Sequence, residues 1–151
     1  MIEQYENKAE HFSAFVQLNS AWITEHFSLE AADHQLFANP QSVVTDGGYI
    51  LSIAEDNEVF GVCALFPQEA GTYELARMAV SEQHRGRGVG SQLMTFALTK
   101  LSALKADKVV LNSNTKLHAA IALYKKHGFE TTFTGKHPHY ARANICMARQ
   151  L

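Results

Sequence analysis

Cysteine is scarce in this chain of 151 residues: Cys63 and Cys146 are the whole supply. Both fall in β-rich runs, where they read as small buried hydrophobes of a protein in a reducing cytoplasm. Positive charge is not in excess either. Thirteen lysines and arginines face fifteen aspartates and glutamates, a formal net charge of −2, which argues against nucleic acid as a partner. No apolar run approaches the ~20 residues that a membrane span needs. The opening stretch MIEQYENKAE is too polar and acidic for a signal peptide. The expectation is a cytoplasmic protein with no membrane partner. Repeats, low-complexity tracts and linkers are missing as well, so residues 1–151 read as a single domain able to bury a core.

What is present is a succession of β-rich and helical patterns. Residues 8–27 carry Phe12, Phe15, Val16, Trp22, Ile23 and Phe27 at roughly helical spacing, and Leu29 to Ala38 reads as a second short helix stopped by Asn39 and Pro40. Tyr49 to Ala54 and Val59 to Phe66 are β-rich and joined by a polar turn, which predicts a hairpin. Gly71 to Val80 reads as a third strand. Gly88 to Leu104 is helical, with Val89, Leu93, Phe96, Ala97, Leu101 and Leu104 on one face. A short buried strand at Lys108 to Leu111 follows, then a helix from Leu117 to Lys126 closed by Gly128 at the position that glycine favours after a helix. Phe129 to Phe133 and Tyr140 to Ala148 read as two terminal strands. Two helices followed by β-β-β-α-β-α-β-β predict an α+β fold with a mixed sheet, a parallel pair lying at its centre.

The segment that carries chemistry is Arg85-Gly86-Arg87-Gly88-Val89-Gly90, followed at once by Ser91 and a helical pattern. Glycines let the backbone approach a ligand and take φ values closed to other residues. A helix N-terminus supplies free N–H groups and a positive dipole end, which suits a phosphate. Two familiar phosphate loops are excluded by spacing. A dinucleotide loop needs Gly-x-Gly-x-x-Gly, and the third glycine falls on Ser91 or Leu93; a Walker A loop needs Gly-Lys-Ser/Thr, and the chain has none.

The spacing that does fit is Arg/Gln-x-x-Gly-x-Gly/Ala, met by Arg85, Gly88 and Gly90. It resembles the pyrophosphate loop of the GNAT superfamily of N-acetyltransferases. The segment Leu123-Tyr124-Lys125-Lys126-His127-Gly128-Phe129 is similar to that superfamily's second hallmark, and the element order agrees from about residue 48 onward. The resemblance implies a GNAT-like acyl-CoA N-acyltransferase fold and acetyl-CoA as co-substrate, with no metal. It implies that Met78, Ala79 and Val80 contact the pantetheine arm through their backbone where two parallel strands splay. It implies that the N–H groups of Gly86, Arg87, Gly88, Val89, Gly90 and Ser91 hold the pyrophosphate, with Arg85 or Arg87 adding charge. Tyr124 matches the tyrosine that stabilises or protonates the departing sulfur. Glu74 matches a strand position where several members carry a general base. Alternation puts Glu74, Ala76 and Met78 on one face of their strand unless a β-bulge changes the parity. His84, His118, His137 and His139 are weaker base candidates. A family asparagine that bonds the CoA arm is replaced by Leu117, and Asn114 is the nearest substitute.

The acceptor is less legible. The regions that set specificity in this fold hold Trp22, His26, Phe27, Glu30, Asp33, Tyr140 and Arg142. Glu30 and Asp33 either attract an amine or serve the start of the second helix, where acids are favoured. The expectation is a small amine or amino acid derivative, with a peptide or protein amine as the second choice and a non-catalytic acyl-CoA sensor as the alternative of another class. Many such domains pair, so a homodimer is a class-level expectation.

Overall fold

The computed structural model describes residues 2–137 and 141–151. Its elements are β1 (Glu3–Glu6), α1 (Phe12–His26), α2 (Ala31–Ala38), α3 (Ser42–Thr45), β2 (Tyr49–Glu55), β3 (Glu58–Pro67), β4 (Thr72–Val80), α4 (Val89–Ala103), β5 (Lys108–Ser113), α5 (His118–Lys126), β6 (Glu130–Thr134) and β7 (Ile145–Gln150). The strands form one mixed sheet in the order β1-β2-β3-β4-β5-β7-β6, with β4 and β5 as its parallel pair. The expected α+β architecture is present, with two corrections at its ends. Residues 3–6 form a strand rather than plain lead-in to a helix, paired antiparallel with β2 from Glu3 opposite Ala54 to Glu6 opposite Leu51. The last strand begins at Ile145, not near residue 140; Tyr140 and His139 lie outside the described residues.

The hairpin turns on Asp56 and Asn57, both with positive φ (50° and 68°). That geometry matches the right-handed twist of the strands, and Asp and Asn tolerate it better than most side chains.

Helices cover both faces of the sheet. On one face α4 buries Val89, Leu93, Met94, Ala97 and Leu101 against Leu65, Leu75, Val109, Leu111 and Met147. Each large side chain so buried contributes about 1.5–3 kcal/mol. Gly61 permits this seating, because a Cβ there would lie 2.8 Å from Leu93 Cδ1 and 2.9 Å from Val89 Cγ1. On the other face α1 and α3 pack Phe15 and Val43 against Ile50, Val62, Ala64 and Ala79.

Two irregularities in β4 shape the site. Opposite Cys63 of β3 the register slips, with Val62 facing Ala79 but Ala64 facing Ala76. Two residues, Arg77 and Met78, thus oppose one, and Arg77 takes φ +58°. This is a β-bulge, and it reverses the side-chain parity beyond it. Leu75, Met78 and Val80 join the α4 side, whereas Ala79 joins the α1 side. Met78 therefore does not share a face with Glu74 and Ala76, contrary to simple alternation. The second irregularity is a fork. β4 pairs with β5 only from Thr72 opposite Lys108 to Glu74 opposite Val110. Beyond Glu74 the two strands part, and the backbone edge of residues 75–80 has no β5 partner.

Candidate active site

A cavity of about 410 Å³ opens at the fork, lined by Glu74, Met78, Asn114 and Tyr124 among others, with Trp22 and Phe27 of the α1 end on its wall. Glu74 and Tyr124 reach it from opposite sides. Tyr124 packs with the α4-face core, while Leu75 next to Glu74 also turns to that core and leaves Glu74 on the α1 and α2 face. Glu74 Oε2 accepts a hydrogen bond from Asn112 Nδ2 at 2.9 Å.

Tyr124 is held by the way α5 ends. Gly128 takes φ +89°. The Phe129 N–H then bonds the Tyr124 carbonyl at 3.0 Å, and the Gly128 N–H bonds that of Lys125 at 3.0 Å. This paired closure of a helix C-terminus requires a left-handed residue, which glycine supplies without strain. The Tyr124 ring packs edge-on to Phe129, with centroids 6.2 Å apart. Burial pushes the Tyr124 phenol up to about 12, the neighbouring Cys63 thiol adds to the rise, and a hydrogen bond with Ser113 opposes it. Burial also pushes Cys63 up to about 12. Both groups are neutral at physiological pH.

The glycine loop sits where α4 begins. Gly86 and Gly88 have φ of +79° and +78°, which for an L-residue costs roughly 1–2 kcal/mol. The first amide of the segment with a backbone acceptor is that of Gln92, bonded to the Gly88 carbonyl at 3.0 Å. The six amide N–H groups of residues 86–91 have no acceptor among the described residues. Six amide donors without an acceptor among the described residues thus lie at the N-terminus of a 15-residue helix, where the helix dipole favours negative charge. Val89 is buried, so only its backbone can serve there. Arg87 is exposed, and Arg85 bonds Glu25 of α1 with its Nη2 3.0 Å from Oε2. Ser91 Oγ lies 3.3 Å from His127 Nε2, and His127 Nδ1 lies 3.0 Å from the Leu123 carbonyl. A carbonyl only accepts, so Nδ1 is a donor in this pair. The amide cradle and the unpaired β4 edge both fit a donor with a pyrophosphate and a peptide-like arm.

The acids of α2 are committed elsewhere. Asp33 is fully buried and receives Arg142 Nη1 and Nη2 at 2.7 Å each, together with Arg77 Nη1 and the Glu30 N–H at 2.8 Å. Glu30 Oε2 takes Arg142 Nη1 at 2.9 Å. Burial alone would raise the Asp33 carboxyl, but the two guanidinium groups and the Glu30 amide hold it far below the carboxylate range. Of the two sequence readings, the structure shows these acids at the helix start, in a reciprocal cap, and in an ion network with Arg77 and Arg142. Asn114 is also occupied, its Nδ2 donating to the Arg142 carbonyl at 2.7 Å and its Oδ1 accepting the Lys116 N–H at 2.9 Å. Sequence reasoning missed Ser113, Arg77 and Asp46 on the cavity wall, and it noted Asn112 beside Asn114 without giving it a role. Asn112 had a signal, since it lies two residues beyond Val110 and so on the same face.

Comparison with known proteins follows the same lines. Residues 11–129 match the model of the acetyltransferase (GNAT) family. The uncharacterized N-acetyltransferase YvbK of Bacillus subtilis is 30% identical over 112 residues, spanning 71% of this chain and 72% of that protein. An acetyltransferase of the GNAT family from Staphylococcus aureus Mu50 superposes with a TM-score of 0.88 at 16% identity, covering 100% of this chain and 99% of that one. YncA of Salmonella typhimurium, solved with its cofactor acetyl-CoA, gives a TM-score of 0.79 at 16% identity over 100% and 94% of the two chains. At these identities the solved structures bear on the fold.

Proposed function

The chain belongs to the GNAT family of acetyltransferases, and on that premise we propose that it moves an acetyl group from acetyl-CoA to the primary amine of a small molecule, with both substrates bound together. The observation that carries this reading is the approach of Glu74 and Tyr124 to one opening from opposite faces of the sheet. Acetyl-CoA, when bound, supplies a thioester whose carbonyl carbon bonds the amine nitrogen while its C–S bond breaks. The amides of residues 86–91 and the free edge of Met78, Ala79 and Val80 orient it. Glu74 takes one proton from the acceptor ammonium, which frees the nitrogen lone pair, and passes it to solvent. Tyr124 keeps its proton and donates a hydrogen bond where negative charge gathers on sulfur. The second nitrogen proton passes to the departing sulfur, so that an ammonium and an acetyl thioester give an amide, a free thiol and one proton.

Charge supports an amine as acceptor. Arg77 and Arg142 are matched by Asp33 and Glu30, whereas Glu74 and Asp46 on the cavity wall have no cationic partner among the described residues. The surplus is negative and attracts an ammonium. Trp22, Phe27 and Phe66 offer apolar wall to the rest of a small acceptor.

The test is an initial-rate study with a panel of small amines, free amino acids and short peptides, varying both substrates. Intersecting double-reciprocal lines and a preference for small amines are expected. Parallel lines would sink direct transfer, and a preference for peptides would sink the small-molecule assignment. Acetyl-CoA binding without turnover of any acceptor would make the chain a sensor. Gly88→Ala gives a separate check on the cradle. Its left-handed backbone disfavours a Cβ, so the KM for acetyl-CoA should rise about tenfold, the equivalent of ~1.4 kcal/mol. An amine KM that rises by as much would disconnect the loop from the donor.

A further inference from the structure

On the sheet face turned to α1 and α2, three side chains stand in a row across three strands. Glu74 is the last β4 residue paired with β5, opposite Val110. Asn112 lies two residues further along β5, on the same face and just past the fork. Cys146 of β7 sits directly opposite Asn112. Same-face neighbours on adjacent strands are within side-chain reach, and these three are joined. The Cys146 thiol donates to Asn112 Oδ1 at 3.0 Å, and Asn112 Nδ2 donates to Glu74 Oε2 at 2.9 Å. Glu74 Oε1 makes no hydrogen bond among the described residues.

We propose that Asn112, with its amide oriented by Cys146, is a positioning residue that holds the Glu74 carboxylate across the fork, with Oε2 tied and Oε1 presented to the acceptor ammonium. The proposal rests on the reading of Glu74 as the base. A glutamate has several rotatable bonds, and one standing at a gap between strands has no partner strand to limit them. A single N–H donor removes much of that freedom before the substrate arrives, which is the purpose of preorganisation. Alone, the amide is free to turn away from the carboxylate, and only its nitrogen end can bond it. The thiol settles which end it is. Burial and the nearby Glu74 charge both raise the Cys146 pKa, so the thiol keeps its proton and acts as a donor. That leaves Oδ1 for sulfur and Nδ2 for Glu74.

Asn112→Asp tests this. It keeps the shape of the side chain and an acceptor for Cys146 but has no N–H to offer. Steady-state kinetics with the best amine should show kcat reduced at least about tenfold, from the lost charged hydrogen bond and the like charge now set beside Glu74, with the acetyl-CoA KM unchanged within about twofold. Glu74→Gln should lose more than that. In the Glu74→Gln background, Asn112→Asp should cost less than about twofold, because the pair acts as one unit. Cys146→Ala should lower kcat roughly threefold, and Cys146→Ser, whose hydroxyl still donates, should recover most of the loss; this pair carries the test if the Asn112 variant does not fold. Wild-type kcat in Asn112→Asp, or the same penalty with and without the Glu74 carboxylate, overturns the positioning role while leaving the base intact. Glu74→Gln at the wild-type rate instead removes the base reading, and the positioning role with it.

Discussion

Tyr124→Phe is expected to lower kcat about a hundredfold while leaving the acetyl-CoA KM within about twofold, the pattern of an interaction made in the transition state alone. The substitution keeps the ring that packs against Phe129 and deletes one O–H. The pKa of that group decides how it acts. Burial raises the phenol to about 12, against the pull of Ser113. A thiol has an ordinary value of ~8.5, so full transfer of the phenol proton to a departing sulfur runs uphill. A hydrogen bond to sulfur carries no such penalty. In the proposed reaction Tyr124 is therefore expected to stabilise charge without surrendering its proton, and no basic limb from this residue should enter the rate profile up to about pH 10. Wild-type and Tyr124→Phe rates measured from pH 6 to 10 should keep a constant ratio. A loss of less than twofold would remove Tyr124 from the chemistry. A ratio that collapses between about pH 8 and 9 would show that the phenol titrates there and gives up its proton.

How much of this arrangement the sequence discloses depends on how local its cause is. The glycine loop, the hairpin turn, α4 and the closure of α5 are each set by neighbours in the chain, so spacing and turn chemistry reveal them. Tyr124 is found for the same reason, since the helix that carries it ends in a glycine signal. β1 is hidden because Glu3 to Glu6 are polar and owe their conformation to the backbone edge of β2, almost fifty residues away. The bulge at Arg77 is hidden because an arginine with φ +58° carries none of the glycine or asparagine that marks such a position. The face of Met78 is consequently misassigned by alternation. Asp33 lies 44 residues from Arg77 and 109 from Arg142, and no periodicity links groups at such distances. Asn112 lay within reach of a register argument, yet only the actual end of the β4–β5 pairing makes it matter.

Asp33→Ala should destabilise the protein by about 3–5 kcal/mol, the usual cost of leaving buried charges without their partner. Asp33 is 0% exposed, and the side chains of Arg77 and Arg142 are 10% and 15% exposed, so solvent cannot take over the lost contacts. In a domain of this size the Tm should drop by roughly 6–20 °C. Replacing Asp33, Arg77 and Arg142 together with apolar residues should recover much of that stability, because the one charge left over, on Glu30, is 28% exposed and can be solvated. The sign of the pH effect follows from the direction of the shift. The folded carboxyl of Asp33 is depressed below its ordinary value of 3.8. Its contribution is thus complete above about pH 4–5 and is lost as the pH falls further toward the folded value. Urea midpoints should show this acid-side loss in the wild type, and a smaller loss in Asp33→Ala. An equal acid-side loss in both proteins would assign the effect to other carboxylates. The network also holds Arg77 in a left-handed backbone that costs roughly 1–2 kcal/mol, and it ties α2 to the bulge on the cavity wall. Breaking it should therefore raise the amine KM more than the acetyl-CoA KM, since the amides of residues 86–91 belong to a separate part of the fold.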